Sequence, residues 1–102
     1  MASKIDFLSQ LETVIAERLK DAPEGSYTAR LAAQGPLKIA QKVGEEGVEL
    51  ALAAVAESGE RVTAEAADLV FHLLVLLALR GITLDQLVAE LEQRHRAKQN
   101  PA

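Results

Sequence analysis

Residues 65–79 read Glu65-Ala66-Ala67-Asp68-Leu69-Val70-Phe71-His72-Leu73-Leu74-Val75-Leu76-Leu77-Ala78-Leu79. No Gly or Pro interrupts the run, so nothing in it stops a helix. From Val70 onward, apolar side chains cover the helix circumference, His72 excepted. A helix apolar all round is buried on all sides. Against that background the acids are out of place. Glu65, Asp68 and His72 share one face at helical spacing. A carboxylate turned inward needs a partner, because an unpaired buried charge is very costly. The helix is expected to span Ala64–Arg80, with Thr63 as its N-cap and Gly81 as its stop.

Working upstream, Ser58–Arg61 reads as a tight polar connection with Gly59 at the turn. Before it, Leu37–Glu57 reads as another helix. Leu37, Ala40, Val43, Gly47, Leu50, Ala51 and Ala54 line one face of it. Lys42, Glu45, Glu46 and Glu49 form a charged stripe on the adjoining face. Taken alone, such a stripe is more often a solvated surface than a site. Gly44 and Gly47 each cost about 1 kcal/mol against Ala in a helix interior. Two such losses within one turn point to close approach of another backbone or a ligand, or to a local irregularity. The short connection makes these two helices antiparallel neighbours, so their carboxylates can converge.

Further upstream, Ile5, Leu8, Leu11, Ile15 and Leu19 recur at helical spacing within Met1–Asp21, with Phe7 and Val14 beside them. This is an amphipathic packing helix. Pro23 and Gly25 punctuate the break after it. Ser26 caps a short helix through Tyr27–Ala32, Gly35 ends that helix and Pro36 opens the next. Ser26, Tyr27, Thr28 and Arg30 can hydrogen-bond a phosphate or a base, although a cap and a solvated turn explain them equally well. Downstream, Thr83-Leu84-Asp85-Gln86 is a capping box. It starts a last helix with Leu84, Leu87, Val88 and Leu91 on its apolar face. Arg94, His95, Arg96 and Lys98 follow. Cations at a helix C-terminus are the ordinary reading; a basic arm reaching a phosphate is the sharper one. Asn100-Pro101-Ala102 reads as a frayed end.

The chain has 102 residues, 49% of them hydrophobic but only 3% aromatic. One domain, residues 1–102, with an aliphatic core is expected: an all-α antiparallel bundle of four to five helices, completed by dimerisation. A net charge of −4 argues against nucleic acid or a membrane surface as partner, since both require a basic face. The chain has no cysteine, which excludes disulfides and Cys-bound zinc. Met1–Asp6 lacks a signal-peptide pattern. After His72 the uninterrupted apolar run is Leu73–Leu79, far short of the roughly 20 residues of a membrane span. A cytoplasmic protein is expected.

Five carboxylates on two facing helices cannot satisfy one another. A hard divalent cation with oxygen ligands would satisfy them, Mg²⁺ or Mn²⁺ rather than zinc. The sequence has no Walker-type phosphate loop and no plausible nucleophilic Cys or Ser site. Attack of water on a phosphoanhydride is the simplest chemistry left.

Glu46-x-x-Glu49 followed by Glu65-x-x-Asp68 resembles the signature of the all-α, MazG-like nucleoside triphosphate pyrophosphohydrolases. Within that group, four blocks in order resemble phosphoribosyl-ATP pyrophosphatase. They are Ser26-Tyr27-Thr28-Ala29, Lys42-Val43-Gly44-Glu45-Glu46-x-x-Glu49, Glu65-Ala66-Ala67-Asp68-Leu69 and His72-Leu73-Leu74-Val75-Leu76-Leu77. The resemblance covers about Phe7 to His95. It implies Mg²⁺-dependent hydrolysis of phosphoribosyl-ATP to phosphoribosyl-AMP and pyrophosphate, the second step of histidine biosynthesis. It implies Glu46, Glu49, Glu65 and Asp68 as metal ligands, with Glu45 a ligand or a base that orients water. It places Lys42 at a phosphate, and Ser26, Tyr27, Thr28 and Arg30 near substrate. His72 is grouped with that substrate side, although a lone buried histidine is more often bonded locally. Relatives are often fused to a zinc cyclohydrolase, and the stand-alone form is expected here. The alternative enzyme is a house-cleaning pyrophosphohydrolase of non-canonical or deoxy nucleotides. A non-catalytic helical dimerisation module is the other class, and Glu65 and Asp68 in an apolar helix argue against it.

Overall fold

Two residues, Glu57 and Ser58, join the two longest helices, and both are extended (φ −120°, ψ 175°; φ −70°, ψ 159°). So abrupt a link folds the helices back on each other as antiparallel neighbours. The computed structural model describes residues 3–99. It is 85% helical, with no strand among the described residues. A 3₁₀ turn at Lys4–Asp6 leads into α1 (Phe7–Asp21), α2 (Tyr27–Ala33), α3 (Pro36–Ala56), α4 (Gly59–Leu79) and α5 (Leu84–Gln99). The all-α bundle read from the sequence is therefore the fold. The expected frayed end, Asn100–Ala102, lies outside the described residues.

The caps explain the boundaries. Ser26 Oγ accepts the Ala29 N–H at 3.1 Å and starts α2. Gly35, at φ 93°, takes the left-handed turn into Pro36 at the first position of α3. Gly81, at φ 71°, ends α4. Beyond it the Ile82 N–H donates to Leu77 O at 2.9 Å, and the Gly81 N–H to Ala78 O at 3.0 Å. This pair of bonds is a Schellman motif. At α5, Thr83 N–H donates to Gln86 Oε1 (2.8 Å) and Gln86 N–H to Thr83 Oγ1 (3.1 Å), as the capping box requires. The Leu84 N–H donates across the bundle to Glu12 Oε2 of α1 at 2.6 Å.

Two expectations are corrected. First, α4 begins at Gly59, five residues before Ala64. Ser58, not Thr63, is the N-cap, its Oγ accepting the Arg61 N–H. Thr63 Oγ1 instead donates back to Gly59 O at 2.8 Å, inside the helix. Ser58–Arg61 is thus mostly the first helical turn, and Glu60 in it favours the dipole. Second, the inward face of α3 is not the one its small and apolar residues outlined. Leu37 is 82% exposed, and Ala40, Ala51 and Ala54 are exposed too. The buried positions are Ile39, Glu46 and Ala53, with Val43 and Leu50 half-buried between them. Glu46 therefore sits in the middle of the buried stripe rather than beside it.

The core is Ile15 of α1, Leu31 of α2, Ile39 of α3, and Leu74 and Val75 of α4. Leu8, Leu11, Leu19, Phe71 and Leu84 are among the partly buried residues against it. Even so, most of the apolar circumference of α4 is only half covered, and Val70 is exposed. Val48, Leu52 and Val55 of α3 face solvent. α5 stands off the bundle after Leu84, leaving Val88 and Leu91 exposed.

Candidate active site

The stripe of α3 that carries Glu46 faces α4, and His72 lies opposite. Glu46 is 7% exposed and His72 likewise 7%. His72 Nδ1 is 2.7 Å from Glu46 Oε1 and 3.0 Å from Oε2. It is also 3.0 Å from the backbone oxygen of Asp68, one turn earlier on α4. Every polar atom around Nδ1 is an acceptor, so Nδ1 carries the proton. On the far side of the ring, Nε2 lies 2.8 Å from the Tyr27 hydroxyl at the start of α2. In the neutral imidazole, Nε2 accepts from that hydroxyl. The ring is further held edge-on against Phe71 (centroids 5.1 Å, 84°) and Tyr27 (5.8 Å, 85°).

Glu65, 6% exposed, is the second buried acid. Its Oε1 is paired with the Arg61 guanidinium, one turn earlier on α4. The guanidinium also lies 3.9 Å from Glu57 Oε2. The other oxygen, Glu65 Oε2, is buried with no hydrogen-bond partner among the described residues. A buried polar atom without a partner is rare enough to require a reason.

The remaining candidates are placed more loosely. Glu45 is exposed, its Oε1 accepting from Gln41 Nε2 at 2.7 Å. Glu49 and Asp68 have exposed side chains, Lys42 is half-buried and Arg30 is exposed. Ser26 and Thr28 are buried, and the Ser26 hydroxyl is engaged in its cap. The structure thus joins Tyr27, His72 and Glu46 in one network and leaves Glu45, Glu49 and Asp68 at the surface beside it. Among the described residues, no three His, Asp or Glu side chains lie close enough together to cage an ion. The donor chemistry nevertheless fits a hard divalent cation. The set is all oxygen, it comes in one-turn pairs on antiparallel neighbours, and Glu65 Oε2 is a buried acceptor free to bind. Gly44 and Gly47 bear on the same surface. Among the described residues, a Cβ at either would meet nothing within 4 Å, so no other described backbone crowds them. The close approach expected there is absent within the chain, and α3 runs through both glycines without a break.

Arg61 is the residue that the sequence reading missed. Placed in a connection, it had no reason to face Glu65. Its signal was the Arg61–Glu65 spacing, which becomes a helical i, i+4 pair once the helix starts at Gly59. A groove of about 440 Å³ lies elsewhere, between α1 and the end of α4, lined by Glu12, Thr13, Glu17, Lys20, Ala78 and Ile82 among others. None of the candidate site acids, Glu45, Glu46, Glu49, Glu65 or Asp68, is among its lining residues.

Comparison with known proteins identifies relatives of the chain. Residues 8–95 match the family model described as phosphoribosyl-ATP pyrophosphohydrolase. The chain is 54% identical over 89 residues to a phosphoribosyl-ATP pyrophosphatase of Metallosphaera sedula, covering 87% of this chain and 96% of that one. It is 50% identical over 93 residues to a phosphoribosyl-ATP pyrophosphatase of Ignicoccus hospitalis, covering 91% of each. It is 53% identical over 90 residues to a histidine biosynthesis bifunctional protein of Xanthomonas campestris, covering 88% of this chain and 44% of that longer one. The chain belongs to the phosphoribosyl-ATP pyrophosphohydrolase family and is a hydrolase of the pyrophosphate-cleaving kind.

Proposed function

We propose that the chain hydrolyses phosphoribosyl-ATP to phosphoribosyl-AMP and pyrophosphate with Mg²⁺, as the second step of histidine biosynthesis in the cytoplasm. The observation that carries the reading is the pair of buried acids on facing helices, one of them with an unpartnered oxygen, in a chain half-identical to named pyrophosphatases. Glu46, Glu49, Glu65 and Asp68 would hold the ion, and Mn²⁺ has the same ligand chemistry. When bound, the ion supplies positive charge to the polyphosphate and acidity to water.

The chain's own residues divide the remaining work. Hydrolysis splits the α–β anhydride. The oxygen of water joins one phosphorus, the bridging oxygen leaves with the other, and a proton passes to a base. Glu45 suits that base role: it is solvent-facing, and Gln41 holds one of its oxygens. Lys42, one turn earlier on α3, carries a positive charge toward the phosphates. Ser26, Tyr27, Thr28 and Arg30 give α2 the polar groups for the rest of the substrate. The open space beside Gly44 and Gly47 leaves room for substrate against α3.

A second copy of the chain completes this reading. By length and composition α4 is apolar enough to cross a membrane. Spanning one would bury Glu65 and Asp68 in hydrocarbon, which is expensive. Burying the surplus apolar surface of α3, α4 and α5 in a homodimer avoids that cost.

The test offers purified protein phosphoribosyl-ATP, ATP and dNTPs with Mg²⁺ and measures pyrophosphate release. Phosphoribosyl-ATP should be turned over far faster, because its second ribose phosphate adds binding energy that can lower the barrier. Equal rates on ATP or a dNTP would shift the assignment to a house-cleaning pyrophosphohydrolase.

A further inference from the structure

His72 engages both ring nitrogens within the protein, Nδ1 with Glu46 and the Asp68 carbonyl, Nε2 with Tyr27. No ring nitrogen remains to meet a substrate. We propose that His72 is a positioning residue that presets the Glu46 carboxylate, and that Tyr27 locks the imidazole from the α2 side. The inference rests on the metal-dependent reading above and names what prepares one of its ligands.

The geometry gives the reason. Nδ1 lies within 3.0 Å of both Glu46 oxygens, so its N–H fixes the plane of the carboxylate and not merely its position. The Asp68 carbonyl fixes the ring relative to its own helix. Phe71 and Tyr27 confine the ring plane. A carboxylate has about four lone-pair sites. One shared N–H therefore orients Glu46 without exhausting it. A glutamate otherwise loses considerable rotamer freedom when it is ordered. Ordering it in advance removes that cost from ion binding. Tyr27 is half-exposed, so its hydroxyl is the network's link to the solvent side of α2. A change at α2 thus reaches Glu46 through two hydrogen bonds.

Two substitutions separate this role from plain core packing. The amide nitrogen of Asn falls near the imidazole Nδ1 position, and that of Gln near Nε2. His72→Asn therefore keeps a donor for Glu46, and His72→Gln removes it. Mn²⁺ affinity is measured by calorimetry on the metal-free, substrate-free protein, alongside melts in EDTA. His72→Gln should weaken Mn²⁺ binding by roughly 10- to 100-fold, the usual cost of losing a ligand's orienting partner. His72→Asn should stay within a few-fold of wild type. Tyr27→Phe, which keeps the ring and loses only the hydroxyl, should weaken Mn²⁺ binding by a few-fold, with a modest drop in its EDTA melt because the buried His72 Nε2 loses its partner. Equal Mn²⁺ affinity in wild type and both His72 variants would overturn the inference and leave the metal-dependent reading intact. Should the His72 variants fail to fold, unchanged affinity and turnover in Tyr27→Phe would overturn it instead. A wild type that hydrolyses its substrate without binding Mn²⁺ would overturn the metal reading, and this inference with it.

Discussion

Glu46 and Glu65 are buried to nearly the same degree on facing helices, yet they are held in opposite ways. Glu46 is closed in by α4 and α2 through a histidine and a tyrosine, both set by tertiary packing. Among the described residues Glu65 has one partner, an arginine on its own helix whose side chain is more than half exposed, and keeps one oxygen unpaired. The first acid is finished by the fold. The second is left for something outside the chain to finish. On the proposed reading, a site with one rigid and one unsatisfied acid would bind an ion with little rearrangement on one side and an energetic gain on the other.

That contrast breaks most visibly under isosteric neutralisation. Glu65→Gln and Asp68→Asn should each lower turnover by roughly 10²–10³-fold or more, measured as pyrophosphate release, since each removes charge that would hold the ion. In EDTA Asp68→Asn should melt at or above wild type, because carboxylate repulsion falls. Glu65→Gln should melt close to wild type there, because the charged bond it weakens is to the half-exposed Arg61 and is worth little. Glu46→Gln should lose similar activity but melt lower, since the charge-assisted bond to His72 is worth about 1.5–3 kcal/mol. Identical melts for the Glu46 and Glu65 variants would erase the distinction.

Arg61→Ala sharpens it. The change strips Glu65 of its one partner, leaving a buried acid unsatisfied at a cost of about 1–3 kcal/mol in EDTA. Saturating Mg²⁺ should recover part of that loss, because an ion that binds only the folded state stabilises it by mass action. A destabilisation indifferent to Mg²⁺ would mean that Arg61 and the ion do not share Glu65.

The smallest effect tests the space beside the site. Gly44→Ala and Gly47→Ala each remove helix-interior glycine and meet nothing in the chain. Each should stabilise the fold by up to about 1 kcal/mol in chemical denaturation. A rise in KM at gained stability would show that the space serves substrate.

How much of this was legible in the sequence depended on whether the information was local. Caps and breakers are local, so Ser26, Gly35, Pro36, Gly81 and the Thr83–Gln86 box marked real helix ends. Ser58 was local too, but Thr63 offered a competing cap and Gly59 imitated a turn. Arg61 was hidden by that one error. The acids of the site were legible as residue types at helical spacing. Which of them turn inward was not, because the rotation of α3 about its own axis decides between Glu46 and Glu45, about 100° apart on the helix. The apolar residues of α3 gave poor guidance: Leu37, Val48, Leu52 and Val55 are all outside. Nor could the sequence show that Tyr27 and His72, 45 positions apart, share a hydrogen bond.

The two-residue link between α3 and α4 has a consequence for the order of assembly. Glu46 and His72 are 26 positions apart, whereas the Glu12–Leu84 contact between α1 and α5 spans 72. Closing the shorter loop costs about 0.9 kcal/mol less chain entropy. Contacts close in sequence favour fast folding. The helical hairpin that carries both buried acids is therefore the unit best placed to form early and to persist when α1 or α5 detaches. Tyr27, 45 positions from His72, then follows with α2 and closes a network whose other members, Glu46 and His72, are already in place.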